Sequence, residues 1–210
     1  MTLVQPMLAL WDDDADDAKR HHEARVLADS TDRVAWLRAR SRGITATDVA
    51  RLSGPAAIRG VVTEKLFGSG FTGNQFTDHG RAREPVIARW VQRNHAILPS
   101  SRLFHAYGQP LHLATPDGVA ERGNGDVVLC EIKTTSKAWT SIPRSYLRQV
   151  WWQQYVLGAE RTLVVWEQHD DFVPIPGPPR CEWVERDESQ IHQLVGLADM
   201  VIEALRETVR

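Results

Sequence analysis

The chain has 210 residues, 42% of them hydrophobic and 25% charged, which is enough for one sizeable core and most simply a single domain spanning 1–210. A net charge of −2 excludes a polycation, and the two cysteines, Cys130 and Cys181, exclude a disulfide framework or a four-cysteine metal cluster within one chain. No stretch approaches the roughly 18 apolar residues of a membrane span, and no basic start followed by an apolar core opens the sequence, so no membrane association and a cytoplasmic location are expected.

Asp12, Asp13, Asp14, Asp16 and Asp17 mark residues 1–30 as an acidic helix or arm, with a polar helix expected over 12–29. The charge then inverts. Between 31 and 60, Arg33, Arg38, Arg40, Arg42, Arg51 and Arg59 stand against Asp32 and Asp48, so any positive field for a polyanion is local. Ser30 or Thr31 is expected to cap a helix through Arg40, with Val34 and Leu37 on its inner face. A break at 42–45 leads to a short helix from Ala46 to Leu52, capped by Thr45 and ended by Ser53-Gly54-Pro55. Another helix is expected over 56–67, then a mobile glycine-rich stretch at 68–73.

A longer helix is expected over 78–94, with Val86, Ile87, Trp90 and Val91 as its apolar stripe. Pro85 lacks an N–H and suits a first turn, which moves the expected start towards Arg81 or Arg83. Strands are expected at 103–107, 111–114, 118–121 and 126–133, the last two joined through Gly123-Asn124-Gly125. A helix over 145–157 closes at Gly158, 161–167 is a buried-type strand, and 174–179 is a proline-rich loop. The segment 187–209 is a helix, with Ile191, Leu194, Val195, Ala198, Val201, Ile202 and Leu205 at helical spacing. This order predicts an α/β fold, a small mixed β-sheet flanked by helices, with 31–170 as its core and 187–210 as a C-terminal helix. His105 and His112 are expected at the core edge or surface. Trp151 and Trp152 are expected to pack the late helix on the sheet, one of them being a candidate to stack on an unpaired base.

The chemistry concentrates on either side of the predicted hairpin. In a strand, residues i and i+2 share a face, so Glu131 and Lys133 point one way while Cys130 and Ile132 point the other. Two carboxylates, Asp117 and Glu131, with one ammonium form a candidate Mg²⁺ site for cutting phosphodiesters. Such a reaction needs a metal against the phosphate, an activated water and a charge stabiliser. Mg²⁺ takes oxygen ligands, which makes Asp117, Glu131 and the main-chain carbonyl of Ile132 the candidate set. Lys133 would orient or deprotonate the attacking water, or stabilise the pentacovalent phosphate; as a base it needs a depressed pKa. The plain alternative is a surface Glu-x-Lys pair.

Pro116-Asp117 followed by Glu131-Ile132-Lys133 resembles the signature of the PD-(D/E)XK nuclease superfamily. More closely, the chain resembles its λ-exonuclease or YqaJ-type viral recombinase branch. The matching segments, in order, are Trp36-Leu37-Arg38-Ala39-Arg40 with Gly43-Ile44-Thr45-Ala46-Thr47-Asp48-Val49, then Gly80-Arg81-Ala82-Arg83-Glu84, the Glu-x-Lys strand, and Tyr146-Leu147-Arg148-Gln149-Val150. Together they cover roughly residues 36 to 166. The resemblance implies a restriction-endonuclease-like core and Mg²⁺ as cofactor, with Mn²⁺ able to substitute. It places Glu84 beside the metal, as a ligand directly or through water; the plain alternative pairs it with Arg81 or Arg83. It puts Gln149 in the active site, with Tyr146 one turn earlier on the same face. Arg40 and Thr47 match positions that grip a terminal 5′-phosphate, with Arg38 and Arg42 as neighbours sharing the task. The guanidinium fork and a first-turn position on a short helix suit that anion. The function implied is a 5′→3′ exonuclease on double-stranded DNA ends in phage-type recombination. Its partners would be those ends, a single-strand annealing protein and further copies in a homo-oligomeric ring, in the host cytoplasm if the chain is phage-encoded. An endonuclease of the same fold and a DNA-binding module with a vestigial metal site remain as alternatives.

Overall fold

The computed structural model describes residues 21–68, 73–123 and 125–208. The acidic run at 12–17, most of the glycine-rich stretch and Asn124 lie outside the described residues. In chain order the elements are a 3₁₀ turn at His22–Arg25, β1 (Val26–Asp29), α1 (Arg33–Ser41), β2 (Ile44–Thr45), α2 (Ala46–Arg51), a 3₁₀ turn at Pro55–Ala57, α3 (Ile58–Phe67) and α4 (Gln75–His95). There follow β3 (Leu98–Pro99), β4 (Arg102–Ala106), β5 (Gln109–Ala114), β6 (Gly118–Glu121), β7 (Val127–Thr135), α5 (Arg144–Leu157), β8 (Arg161–Asp170), β9 (Val173–Pro174), β10 (Arg180–Glu185) and α6 (Glu188–Thr208).

The strands form two mixed sheets. One has the order β1-β4-β5-β2 and the other β10-β8-β7-β6-β3, with β9 paired to β8. The parallel pairs are β2–β5 and β7–β8. Side chains alternate across the second sheet and build two cores. Val128, Cys130 and Ile132 of β7 with Leu163 and Val165 of β8 meet Ile87, Ala88 and Val91 of α4. Leu129, Val164 and Trp166 face the other way, onto Val150, Trp152 and Val156 of α5, with the apolar stripe of α6 beyond. Trp151 and Trp152 are 7% and 0% exposed, so both pack the helix and neither is available to stack on a base.

Several expectations are corrected. The described end of the acidic arm is not one continuous helix: the 3₁₀ turn at His22–Arg25 gives way to the strand Val26–Asp29, paired to β4. Pairing gives its backbone partners inside the fold, and Arg25 anchors it by donating to the carbonyls of His105, Val156 and Leu157. Helix α1 is capped by Asp32 rather than Ser30 or Thr31, with Oδ1 accepting from Ala35 N at 3.0 Å. It turns Val34 and Leu37 to solvent, 69% and 46% exposed, because its contacts with β1 and β2 use its other side. Helix α4 starts earlier than Pro85 suggests. Asn74 caps it, accepting from Thr77 N at 3.1 Å, and the helix runs through Pro85 because that residue is exposed, where water can satisfy the carbonyl left without a donor. His112, expected at an edge, is 0% exposed and joins Tyr155 OH at 3.0 Å and Asp199 at 3.1 Å.

Candidate active site

The centre of the site is set by where β6 stops. Its ladder with β7 runs from Glu121↔Val127 to Gly118↔Cys130, while β7 continues along β8 to Thr135↔Gln168. From Glu131 onwards one edge of β7 is therefore vacated by β6. Asp117 fills it. Its N–H donates to Cys130 O at 3.1 Å, and its Oδ2 accepts from Ile132 N at 2.6 Å. A strand residue sends its N–H and C=O to the same edge, so the Ile132 carbonyl also leaves on the Asp117 side. The approach needs Gly118: a Cβ there would lie 3.0 Å from both Cys130 Cβ and Ile97 Cγ2.

Glu131 projects to the α5 face, 2% exposed, where its i+2 partner Lys133 also lies. It is no surface pair. Its Oε1 accepts from Lys133 Nζ and Gln149 Nε2, and its Oε2 accepts from Gln153 Nε2 at 2.6 Å. The Lys133 ammonium also sits 4.9 Å from the centre of the Tyr146 ring. Gln153 is a partner of Glu131 that the sequence analysis did not single out. The signal was present, since Gln149 and Gln153 stand i, i+4 on one helix face.

The electrostatics follow from crowding acids. Burial pushes the Asp117 carboxyl well up, and the charges of Glu131 and Glu84 add to it. Glu84, on α4, is also raised, by loss of solvent first and then by Glu131. Burial opposes the Lys133 ammonium, but Glu131 and Asp117 outweigh it and hold its pKa above the ordinary lysine value. A concentration of negative charge with hard oxygen donors, and no thiolate or imidazole among them, fits Mg²⁺ or Mn²⁺.

Glu84 stands at the rim. Arg81 pairs with Asp78 at 3.6 Å, and Arg83 makes a two-pronged contact to Glu167 at 2.7 and 2.8 Å, so those arginines are engaged elsewhere. Helix α4 lies close to β7: a Cβ on Gly80 would meet Thr134 Oγ1 at 3.5 Å. Among the described residues, Asp117, Glu131 and Glu84 do not form a set whose ligand oxygens all lie within 4.8 Å of one another.

Arg40 and Thr47 are brought together. The Arg40 guanidinium donates to Thr47 Oγ1 at 3.0 Å and lies 4.8 Å over the Trp36 ring. Both line a concavity of about 420 Å³ with Lys65 and Arg51. The ledge is rigid: Thr45 and Asp48 form a reciprocal cap at the start of α2, and Lys65 Nζ reaches Asp48 at 2.8 Å and Gly43 O at 2.7 Å. Gly43 permits close seating on β5, because a Cβ there would fall 2.3 Å from Leu111 O. Arg148 ties the ledge to the acids by donating to Ala50 O at 3.0 and 2.6 Å, one residue before Gln149. Arg38 and Arg42 are exposed and do not line this concavity; Arg42 borders a separate one with Ile202 and Leu205.

Comparison with known proteins agrees with this architecture. Crystal structures of LHK-Exo, an alkaline exonuclease from Laribacter hongkongensis, one of them with dAMP, superpose with a TM-score of 0.64 at 20% identity, covering 83% of this chain and 93% of theirs. A phage-related exonuclease from Haemophilus somnus gives 0.62 at 12% identity, over 80% of this chain and 96% of that one. Nothing among the curated proteins matches. The model of the YqaJ-like viral recombinase domain matches residues 35–160, which take in the arginine ledge, Asp117, the Glu-x-Lys strand and the glutamine helix. This chain therefore belongs to the YqaJ-like viral recombinase family, a branch of the PD-(D/E)XK superfamily.

Proposed function

We propose that this protein is a divalent-metal-dependent deoxyribonuclease, a 5′→3′ exonuclease that acts on double-stranded DNA ends in phage-type recombination. The observation that carries the reading is the meeting of Asp117 and the Ile132 backbone on the vacated edge of β7, beside a buried Glu131 held by Lys133, Gln149 and Gln153. Family membership and the resemblance to exonuclease structures support it.

Asp117, Glu131 and the Ile132 carbonyl would hold the cation, with Glu84 at the rim meeting it through water or holding a second ion. A bound Mg²⁺ or Mn²⁺ supplies charge neutralisation at the phosphate and a water of lowered pKa. Lys133 would orient or deprotonate the attacking water, or stabilise the negative charge that builds on the phosphorus-bound oxygens. Gln149 and Gln153 donate to Glu131 and fix its carboxylate, and Gln149 is also placed to orient water or phosphate. Tyr146 holds the Lys133 ammonium over its ring face. Arg40 and Thr47 would receive the terminal 5′-phosphate, the guanidinium acting as a planar fork. Staying on one strand would be aided by a ring of copies around DNA, and the exposed Val34 and Leu37 of α1 offer apolar surface for such assembly. A single-strand annealing protein is the expected partner for the product.

The test is digestion of end-labelled linear duplex, with and without a 5′-phosphate, in Mg²⁺, Mn²⁺ or EDTA, beside closed circular duplex. Metal-dependent mononucleotide release from the 5′-labelled strand, with circles spared, is expected. Cutting of closed circles would replace the reading with an endonuclease. Binding of DNA without cleavage in either metal would leave a vestigial site.

A further inference from the structure

At the far end of β6 from Asp117, three metal-binding side chains meet. One ring nitrogen each of His21 and His22 and one carboxylate oxygen of Glu121 lie within 4.8 Å of one another, the one such group of His, Cys, Asp or Glu among the described residues. His21 Nε2 faces Glu121 Oε2 at 3.0 Å, and the two imidazole centres are 4.6 Å apart. His22 is 4% exposed, and its Nδ1 is buried without a hydrogen-bond partner. Buried polar nitrogens are ordinarily satisfied, so this one asks for a ligand. Its Nε2 faces Glu23 Oε1 at 3.5 Å, and Glu23 is itself fixed by Arg102.

We propose that His21, His22 and Glu121 form a second metal site, selective for a borderline cation such as Zn²⁺, that clips the segment before β1 to the end of β6. Two imidazoles, a carboxylate and a water make a tetrahedral set of the kind Zn²⁺ takes. Imidazole nitrogen suits Zn²⁺ far better than Mg²⁺, so this site and the oxygen-lined one select different ions. His22 ligates through Nδ1 and keeps its Nε2 proton towards Glu23, a carboxylate behind a metal-bound histidine. His21 ligates through Nε2, its proton moving to Nδ1 and its 3.4 Å contact with Glu23 N being given up. Burial and the neighbouring His21 lower the pKa of His22, which keeps its lone pair available. Because β1 and β6 belong to different sheets, the clip fastens one sheet to the other.

The test uses the full chain carrying Glu131→Gln, which weakens cation binding at the nuclease centre. After metal stripping, Zn²⁺ is titrated calorimetrically, Co²⁺ is followed by its visible absorption, and Tm is read with and without Zn²⁺. One tight Zn²⁺ per chain, a tetrahedral Co²⁺ spectrum and a raised Tm are expected. Adding His21→Ala and Glu121→Gln, both at exposed positions, should lower Zn²⁺ affinity by more than about tenfold and remove the Tm rise, with the circular dichroism spectrum unchanged. Unchanged Zn²⁺ affinity in that variant, or no Zn²⁺ bound by its parent, overturns the proposal. Neither outcome bears on DNA cleavage in Mg²⁺.

Discussion

Glu131 is a carboxylate inside the protein, and each of its oxygens has a donor on α5 or β7. Removing Asp117, Glu131 or Lys133 as alanine variants is expected to abolish Mg²⁺-dependent cleavage of linear duplex while each protein keeps its circular dichroism spectrum; full activity in any one would remove that residue from the site. Gln153 gives a finer test. It is fully buried, so it cannot touch substrate, yet it holds Glu131 Oε2. Gln153→Ala should lower cleavage about 10–100-fold and raise the Mg²⁺ concentration needed for half-maximal rate, which titration of initial rates against Mg²⁺ reads directly. Arg40→Ala should narrow the rate difference between 5′-phosphorylated and 5′-hydroxyl ends by about tenfold or more; paired assays on the two substrates decide it, and a wild type with no preference ends the phosphate-grip idea. The Glu-x-Lys pair and Asp117 were readable as residues because alternation fixes which neighbours share a face. Gln153 shares the helix face of Gln149, which was the signal for it, but only the packing of α5 on β7 shows that its turn also reaches Glu131.

Most helices and strands were legible from capping and periodicity. Thr45 caps α2, Gly158 closes α5 in a left-handed conformation, and the stripe of α6 is buried as spaced. Failures came where a partner distant in sequence decides the local state. β1 reads as polar helix until β4 is beside it, and α1 reads as amphipathic although Val34 and Leu37 stay exposed. Arg25 joins these levels. It is 4% exposed and donates to the carbonyls of Val156 and Leu157 at the end of α5, besides His105. A cation there satisfies carbonyls left over at a helix end and suits the helix dipole. Arg25→Ala should destabilise the fold by about 3–5 kcal/mol, since it strands buried acceptors. Urea unfolding measures this, and a loss below about 1 kcal/mol would show that water replaces the side chain.

The described residues form two sheets with α5 packed against both, and His112 of β5 lies between Tyr155 of α5 and Asp199 of α6. Burial lowers its pKa from the ordinary 6.5, against the opposing pull of Asp199. Below 6.5 the unfolded chain then binds the proton more readily than the folded one, so folding stability falls as pH drops through that value. Urea midpoints at about pH 7 and about pH 5 should differ less in His112→Asn than in the wild type; an equal difference would show that His112 does not carry the effect. By itself the sequence determined the order of elements, the shared face of Glu131 and Lys133, the hairpin that returns Asp117 to them, and the family, because each depends on short-range periodicity or on spacing along the chain. Tertiary structure alone decided that β6 ends one residue short of Glu131, that Arg25 and His112 are interior, and that Glu84 stands at the rim. Burial and reach depend on which surfaces meet, and those surfaces are far apart in the chain.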